Sequence, residues 1–263
     1  MHIVFRVCSP FAATQGHPAD KRAIPIHRPL PSCRDMSRMF EQVTTRTDFD
    51  AGFIVRCELA QGSDGKVFRI VRKGQADKSY VMKLEKTHTD SERDVDLMVQ
   101  ASGHKHVVAL LAAFTWSRSH RATIFEEADC DLRKFLRLHG RSEQVAIDVG
   151  QQVGSGLAHL HFLKIAHRDL KLANVLVFLV RRAASVAARG NPTCPYDAVY
   201  RICDLSRSRR WQEIKKRVSK KRPPPHVEYA CMTPGLCTPV YSAPELWDCS
   251  GEALSPYGPA ADV

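Results

Sequence analysis

One short run of residues brings a carboxylate, an ammonium group and a carboxamide close together in the chain. It extends from His167 to Asn174 and reads H-R-D-L-K-L-A-N. Asp169 can accept a hydrogen bond from an alcohol and orient its oxygen, and since the ordinary pKa of aspartate is about 3.9, orientation matters more than basicity. Lys171 can neutralise a transferring anionic group, and Asn174 offers a neutral oxygen to Mg²⁺, a hard cation. This combination is typical of phosphoryl transfer to a hydroxyl group.

A second acidic position follows an apolar, strand-like segment at 199–202. Asp204 stands there in the sequence Cys-Asp-Leu-Ser. A carboxylate at the end of a strand could hold Mg²⁺ against phosphate groups, which would neutralise their charge. Taken alone, Asp204 could equally be an ordinary acidic residue of a turn.

A glycine-containing turn and a strand lysine precede these segments. Gly62 and Gly65 separate two strand-like runs, so that backbone N–H groups there could approach phosphate oxygens. Sixteen residues after Val67, Lys83 lies in a third strand-like run. A lysine that faces inward requires an anion, because an unpaired buried ammonium group is costly. An ordinary turn and a solvent-facing lysine are the alternative interpretations.

Taken in chain order, these segments resemble the serine/threonine protein kinases of eukaryotes. The run at 167–174 matches the H-R-D-L-K-x-x-N catalytic loop, and Asp204 begins a variant of the D-F-G element. Residues 238–245, T-P-V-Y-S-A-P-E, resemble the end of the activation segment. The resemblance covers Ala51 to Val263 and implies ATP and Mg²⁺ as cofactors. It also implies a protein substrate with a Ser or Thr acceptor.

The resemblance assigns roles to individual positions. The catalytic set that it implies is Asp169, Lys171 and Lys83, and the metal-binding set is Asn174 and Asp204. The implied ATP-binding residues are Leu59, Ala60, Gly62, Gly65, Val67, Val81, Lys83, Glu126, Ala128 and Leu176. Structural or regulatory roles are implied for Asp94, His167, Arg168, Leu205, Thr238, Glu245 and Asp262.

Several positions depart from the family pattern. Asp94 stands where the family has the helix glutamate that pairs with the strand lysine, and its side chain is shorter by one methylene, about 1.5 Å. Ala60 replaces a glycine of the nucleotide loop, and Leu205 and Ser206 replace the Phe and Gly of D-F-G. The chain also ends where the helical lobe of the family is half complete. The alternative to an active kinase is therefore an impaired pseudokinase, or a truncated fragment, that binds nucleotide or protein.

The elements that must position these residues follow an α+β order. Strand-like runs at 53–55, 67–71 and 80–84 precede a helical pattern at 91–102, two further strand-like runs at 106–114 and 122–125, and helical patterns from 132 and over 144–163. We predict a disordered tail at 1–50 and a kinase domain at 51–263. Its antiparallel-sheet N-lobe, with one helix, covers 51–127, and an incomplete helical C-lobe covers 128–263. Inserted loops are predicted near 181–198 and 206–225.

Composition and charge narrow the partners and the cellular locations that we expect for this protein. The formal net charge is +11, which attracts polyanions, but no nucleic-acid motif accompanies it and we do not expect nucleic acid as a partner. Nine widely spaced cysteines without a secretory signal predict reduced thiols and a cytoplasmic or nuclear location. No apolar run is long enough to span a membrane, and the sequence leaves the oligomeric state open. The basic run 207–222 has three interpretations: a solvated loop, a polyanion-binding patch, or a segment phosphorylated at Ser208, Ser219 or Thr233.

Overall fold

A five-stranded sheet in the order β1-β2-β3-β5-β4 begins the fold. The computed structural model describes residues 40, 42–62, 65–87, 91–181, 196–210, 241 and 262. Strand β1 pairs antiparallel with β2, β2 with β3, and β3 with β5. The strands of this sheet are β1 Phe53–Gln61, β2 Gly65–Arg72, β3 Gln75–Lys86, β4 Leu110–Ser117 and β5 His120–Glu126.

Four α-helices and five short strands complete the described part of the chain. The helices α2, α3 and α4 follow the sheet's first three strands in sequence, and α1 precedes it. The helices are α1 Arg46–Gly52, α2 Ser91–Ala101, α3 Leu132–His139 and α4 Glu143–Phe162. The strands are β6 Cys130–Asp131, β7 Ile165–Ala166, β8 Val175–Arg181, β9 Tyr196–Ile202 and β10 Arg209–Arg210.

The chain divides into two units. Unit 1 comprises residues 1–86, 111–130 and 178–198, and unit 2 comprises 87–110, 131–177 and 199–263. Helix α2 thus belongs to unit 2. The α+β class predicted from the sequence, with an antiparallel sheet ahead of a helix-rich part, is confirmed. The lobe boundaries stay predictions.

One face of the sheet in unit 1 carries the aromatic core. Tyr80, Met82, Ile70 and Ile124 alternate along their strands and point to the same face, because cross-strand partners share a face and successive residues do not. Aromatic rings from the sequence before β1 join them, as Phe40 and Phe49 pack with Phe53, Tyr80 and Phe114. The opposite face is thereby left for other residues of β2 and β3.

The segment before β1 corrects the predicted tail. We expected disorder up to residue 50, but α1 begins at Arg46, and Phe40 and Phe49 are each only 1% exposed. Thr45 caps this helix, since its hydroxyl accepts from the Asp48 N–H while the Asp48 carboxylate accepts from the Thr45 N–H. Large aromatic side chains outweigh the polar local composition here, because each removes much apolar area from water.

Unit 2 is built around α4. Ser142 caps its start by accepting from the Val145 N–H at 3.2 Å. At Gly156 the helix passes so close to the His106 carbonyl oxygen that an added Cβ would lie 2.6 Å from it. The backbone of 106–108 pairs with Ile202 through two 2.9 Å hydrogen bonds. For this reason β4 begins at Leu110 and not at His106, where the predicted strand started.

Both predicted loop insertions are shorter at their described ends. Residues 196–198 belong to β9, and 206–210 form a 3-10 turn, Leu205–Arg207, followed by β10. Residues 182–195 and 211–225 lie outside the described residues, as do 1–39. Among the described residues, no helix combines the length and apolarity required to cross a membrane.

Candidate active site

The loop between β7 and β8 in unit 2 carries the candidate catalytic residues. It is held at its start by His167, whose Nδ1 accepts from the Asp169 N–H at 3.2 Å. That hydrogen bond leaves the proton of the neutral ring on Nε2, which donates to the Cys203 carbonyl oxygen at 3.0 Å. His167 is fully buried, so it ties the loop to the segment that precedes Asp204.

Asp169, Lys171 and Asn174 converge on one carboxylate. Lys171 Nζ donates to Asp169 Oδ2 at 2.6 Å, and Asn174 Nδ2 donates to the same oxygen at 3.1 Å and to the Asp169 carbonyl oxygen at 2.9 Å. All three side chains are buried. Charge-assisted hydrogen bonds of this kind are short and directional. The spacing of two and five residues along the loop therefore fixes the orientation of the Asp169 carboxylate.

Asn174 also presents an oxygen that nothing in its surroundings satisfies. Its Oδ1 is buried and lacks a hydrogen-bond partner among the described residues. Buried polar atoms are otherwise almost always hydrogen-bonded, so such an atom calls for a ligand. The Asn174 carbonyl oxygen accepts from the Cys203 N–H at 2.9 Å. This hydrogen bond places Cys203, the residue before Asp204, beside Asn174.

Asp204 adopts a left-handed backbone conformation, with φ 66° and ψ 70°. Arg168 does the same with φ 71°, and such conformations in residues other than glycine are uncommon and cluster at functional sites. Ser206 Oγ donates to Asp204 Oδ1 at 2.9 Å. Asn174 Oδ1 and the Asp204 carboxylate are oxygen donors of the kind that Mg²⁺ prefers, since this ion takes one or two carboxylates and completes its shell with phosphate and water oxygens.

Asp262 secures the same loop from a distant point in the sequence. Its carboxylate accepts from the His167 N–H at 2.8 Å, from the Arg168 N–H at 2.7 Å and from His161 Nε2 at 3.0 Å. Burial opposes ionisation of this group, but the hydrogen bonds from His161 and from the His167 and Arg168 N–H groups outweigh it and hold the pKa of Asp262 below its ordinary value. The buried carboxylate is thus charged at neutral pH.

The segment after Asp204 packs back on the loop. In β10, Arg209 pairs with Ala166 of β7, and Arg168 NH1 donates to the Arg207 carbonyl oxygen at 3.3 Å. Ser208 is 0% exposed, and its hydroxyl donates to the His167 carbonyl oxygen at 3.3 Å. Ser208 was one of three candidate phosphorylation sites, and its burial in this position contradicts that interpretation.

The candidate nucleotide-binding residues of unit 1 lie mainly on the sheet face opposite the aromatic core. Val67 stands opposite Lys83, and Val81 two residues before Lys83 points to the same side. All three side chains are buried. In the hairpin, the Gly62 N–H donates to the Gly65 carbonyl oxygen at 2.9 Å. Leu59 and Ala60 lie near the end of β1 and are half-buried, and Glu126 and Ala128 are buried at the end of β5 and just after it.

Gly65 is the position of the hairpin at which only glycine fits. Its φ is 151°, and an added Cβ would lie 2.1 Å from the Leu84 carbonyl oxygen.

Farther along β2, Arg69 makes a bidentate ion pair with Glu127, with Nε 2.9 Å from both carboxylate oxygens. This pair ties β2 to the residues that follow β5.

Lys83 has a carboxylate partner on its own strand. Its Nζ lies 2.5 Å from Glu85 Oε1, and both side chains are mostly buried. In unit 2, Asp94 is buried on α2 and lies 3.6 Å from the guanidinium groups of Arg93 and Arg209. The two positions that the family pattern pairs therefore each have partners within their own unit.

The sequence analysis did not predict the contacts that three residues make with the candidate site: Glu85 with Lys83, Ser206 with Asp204, and Ser208 with His167. Glu85 could have been found, because residues two apart on a strand share a face and Lys83 was already singled out. Ser206 was read only as a departure from glycine.

Leu176 and Leu205 are buried in unit 2, whereas Thr238, Glu245, Ser219 and Thr233 lie outside the described residues.

Comparison with known proteins agrees with this arrangement. The family described as protein kinase domain matches residues 53–263. Serine/threonine-protein kinase 33 of Bos taurus is 31% identical over 126 residues, which is 45% of this chain and 26% of that protein. Ribosomal protein S6 kinase alpha-1 of Homo sapiens is 26% identical over 158 residues, 60% of this chain and 20% of that protein.

A longer match is found in Cyclin-dependent kinase 11.2 of Caenorhabditis elegans, 25% identical over 213 residues, 74% of this chain and 27% of that protein. The chain thus spans only about a quarter of the length of such relatives. The family match nevertheless covers most of the chain, and the relatives are named as kinases. This chain therefore belongs to the protein kinase family.

Proposed function

We propose that this chain transfers the γ-phosphoryl group of ATP to Ser or Thr hydroxyls of proteins, with Mg²⁺. The observation that carries this proposal is the buried set of Asp169, Lys171 and Asn174, with the Asn174 Oδ1 left for a ligand. Membership of the kinase family and the names of the relatives support it. Phosphoryl transfer requires mainly positioning and charge stabilisation, and a buried, pre-oriented set of this kind provides both.

Asp169 orients the acceptor in this mechanism. Lys171 and Asn174 hold the carboxylate through one oxygen, and in this orientation it would accept a hydrogen bond from the substrate hydroxyl. The hydroxyl oxygen forms a bond to the γ-phosphorus while the bond from that phosphorus to the bridging oxygen of ADP breaks. The hydroxyl proton passes to Asp169. Lys171, beside the carboxylate, offsets the negative charge of the transferring group.

Asn174 and Asp204 would hold the metal ion. When bound, Mg²⁺ would neutralise phosphate charge. Ser206, by donating to one oxygen of Asp204, fixes the plane of that carboxylate. In unit 1, Lys83 supplies a buried cation for the phosphates, and Val67 and Val81 supply apolar surface for the base.

The second candidate function is a nucleotide-binding module without useful turnover. It is favoured by Asp94, which lies beside Arg93 and Arg209 in place of the family's longer glutamate. A pseudokinase of this kind would keep the nucleotide-binding residues while losing the geometry for transfer. The catalytic carboxylate itself is present, so a mutation of Asp169 separates the two functions.

The test is phosphorylation of a mixed Ser, Thr and Tyr peptide set by the 263-residue chain with Mg-ATP, read by mass spectrometry. Asp169→Asn should abolish product, whereas Asp96→Asn, the same change at an exposed carboxylate of α2, should not. Phosphate on Ser or Thr that depends on Asp169 supports the kinase. A folded chain that binds ATP and yields no product would favour the binding module.

A further inference from the structure

A carboxylate that contacts the candidate nucleotide lysine comes from the same strand. Lys83 is buried, 6% exposed, and its Nζ lies 2.5 Å from Glu85 Oε1. The side chains are 8% and 19% exposed, respectively. Burying an ammonium group away from water is costly unless an anion compensates it. Glu85, which lies in unit 1 together with Lys83, supplies this anion.

The strand geometry explains why the two side chains meet. Lys83 and Glu85 are two residues apart on β3, so both point to the face opposite the aromatic core. Gly65 of the hairpin stands opposite Glu85 on one side and Arg121 of β5 on the other. Because Gly65 has no side chain, the carboxylate lies next to the hairpin whose N–H groups are candidates for phosphate contact.

We propose that Glu85 is a positioning residue that holds the Lys83 ammonium group for the phosphates of a nucleoside triphosphate. The proposal rests on the proposed nucleotide binding, and deepens it by naming the residue that sets the lysine. A carboxylate at 2.5 Å keeps the long, flexible lysine side chain in one conformation before the ligand arrives. The free energy of ligand binding then does not include the entropic cost of ordering the Lys83 side chain.

A positioning residue for Lys83 is still required although the chain has a carboxylate, Asp94, on α2. Asp94 is shorter than the glutamate of the family pattern, and within unit 2 it lies near Arg93 and Arg209. Glu85 carries the full glutamate length at a position from which it reaches Lys83 directly. The sequence of this chain thus places the longer carboxylate on the strand and the shorter one on the helix.

The experiment is equilibrium binding of ATP with Mg²⁺, and separately of adenosine, to the 263-residue chain and its variants by calorimetry. Glu85→Gln should weaken ATP binding by about tenfold, since a neutral amide orients the ammonium poorly. Glu85→Asp should weaken it less, because the charge remains. Adenosine has no phosphates, so its affinity should not change in either variant.

A matched control removes a comparable pair on the same sheet. Glu58→Gln breaks the exposed pair with Lys66, at 3.1 Å, and should leave both affinities unchanged. Unchanged or tighter ATP binding by Glu85→Gln would overturn the proposal, as would equal losses for ATP and adenosine, which indicate a merely structural role. If the unaltered chain binds neither compound, the proposed function and this inference both fail. If it binds ATP but does not transfer phosphate, only the kinase activity fails.

Discussion

The catalytic loop of unit 2 and the glycine hairpin of unit 1 hold their charged groups in different ways. In the loop, Asp169 is fixed by two side-chain donors, and the backbone around it is fixed by His167 and Asp262. In the hairpin region, strand register sets the positions, and the ion pair of Lys83 with Glu85 joins charges on one face. The loop therefore relies on side-chain donors to a carboxylate, and the hairpin region relies on strand register.

This difference predicts where mutations act. A buried hydrogen-bonded network resists rearrangement, but the loss of one member leaves a charged or polar group unpaired. A strand pair can be changed without opening the sheet, so its loss should alter ligand affinity more than folding. We expect variants of the loop to change transfer and stability, and variants of the strand face to change nucleotide binding.

Among variants that leave Asp169 in place, the largest effect is expected at Asn174. Asn174→Ala removes the unsatisfied Oδ1 and one of the two donors to Asp169. Transfer at saturating ATP should fall by at least about 100-fold, and the half-saturating Mg²⁺ concentration should rise. Rates measured over a Mg²⁺ titration check this. An unaltered Mg²⁺ dependence would break the assignment of Asn174 to the metal.

The next effect is on folding, through Asp262. Asp262→Asn leaves one acceptor oxygen for two backbone N–H groups, His167 and Arg168, so one buried donor loses its partner. The free energy of unfolding should fall by about 2–3 kcal/mol. Urea unfolding of the variant beside the unaltered chain measures this difference directly.

The same residue predicts a pH dependence. The pKa of Asp262 is lowered in the folded chain relative to its ordinary value of 3.8. Its contribution to stability is therefore present above about pH 4 and is lost as pH falls through the folded pKa. The stability difference between the chain and Asp262→Asn should shrink in that acidic range. A difference that stays constant down to strongly acidic pH would contradict the charged, hydrogen-bonded state.

A smaller loss is expected at Gly65, the tightest point of the hairpin. In Gly65→Ala the Cβ would meet the Leu84 carbonyl oxygen at 2.1 Å, so β2 must shift away from β3. The cost should be about 1–3 kcal/mol, with weaker ATP binding. Gly52→Ala is the control, since nothing lies within 4 Å of its Cβ position. Equal thermal stability of both variants would argue against the close approach.

The smallest effect is expected at Ser206. Ser206→Ala removes the 2.9 Å hydrogen bond to Asp204 Oδ1, and a single neutral donor contributes about 0.5–1.5 kcal/mol. The half-saturating Mg²⁺ concentration should rise by about two- to fivefold. Ser206→Thr retains the hydroxyl and should behave as the unaltered chain. If Thr and Ala give the same shift, the hydroxyl is not what positions Asp204.

The contacts that were predicted best from the sequence are those between residues that lie close together in the chain. Asp169, Lys171 and Asn174 lie within one loop, so their order along the chain nearly determines their contacts. The strands and helices around them followed from local periodicity, and α2 and α4 begin and end within one residue of the predicted bounds. The resemblance to kinases then supplied the order of the parts.

Contacts between distant segments were not predictable in the same way. Nothing local indicates that Phe40 and Phe49 pack on Tyr80 and Phe114, since that depends on how the sheet curves over them. The burial of Ser208 depends on the pairing of β10 with β7. The partner of Lys83 was sought on a helix by analogy, whereas the strand itself supplies one at Glu85.

The most direct measurement is a single-turnover assay of phosphate transfer at saturating Mg-ATP, with nucleotide affinity measured on the same samples. The chain and its Asp169→Asn variant are compared. We predict that the variant retains its ATP affinity and loses transfer by about 1,000-fold or more. Transfer that persists in the variant would contradict the assignment of Asp169 as the residue that orients the acceptor, and with it the proposed role of the buried loop.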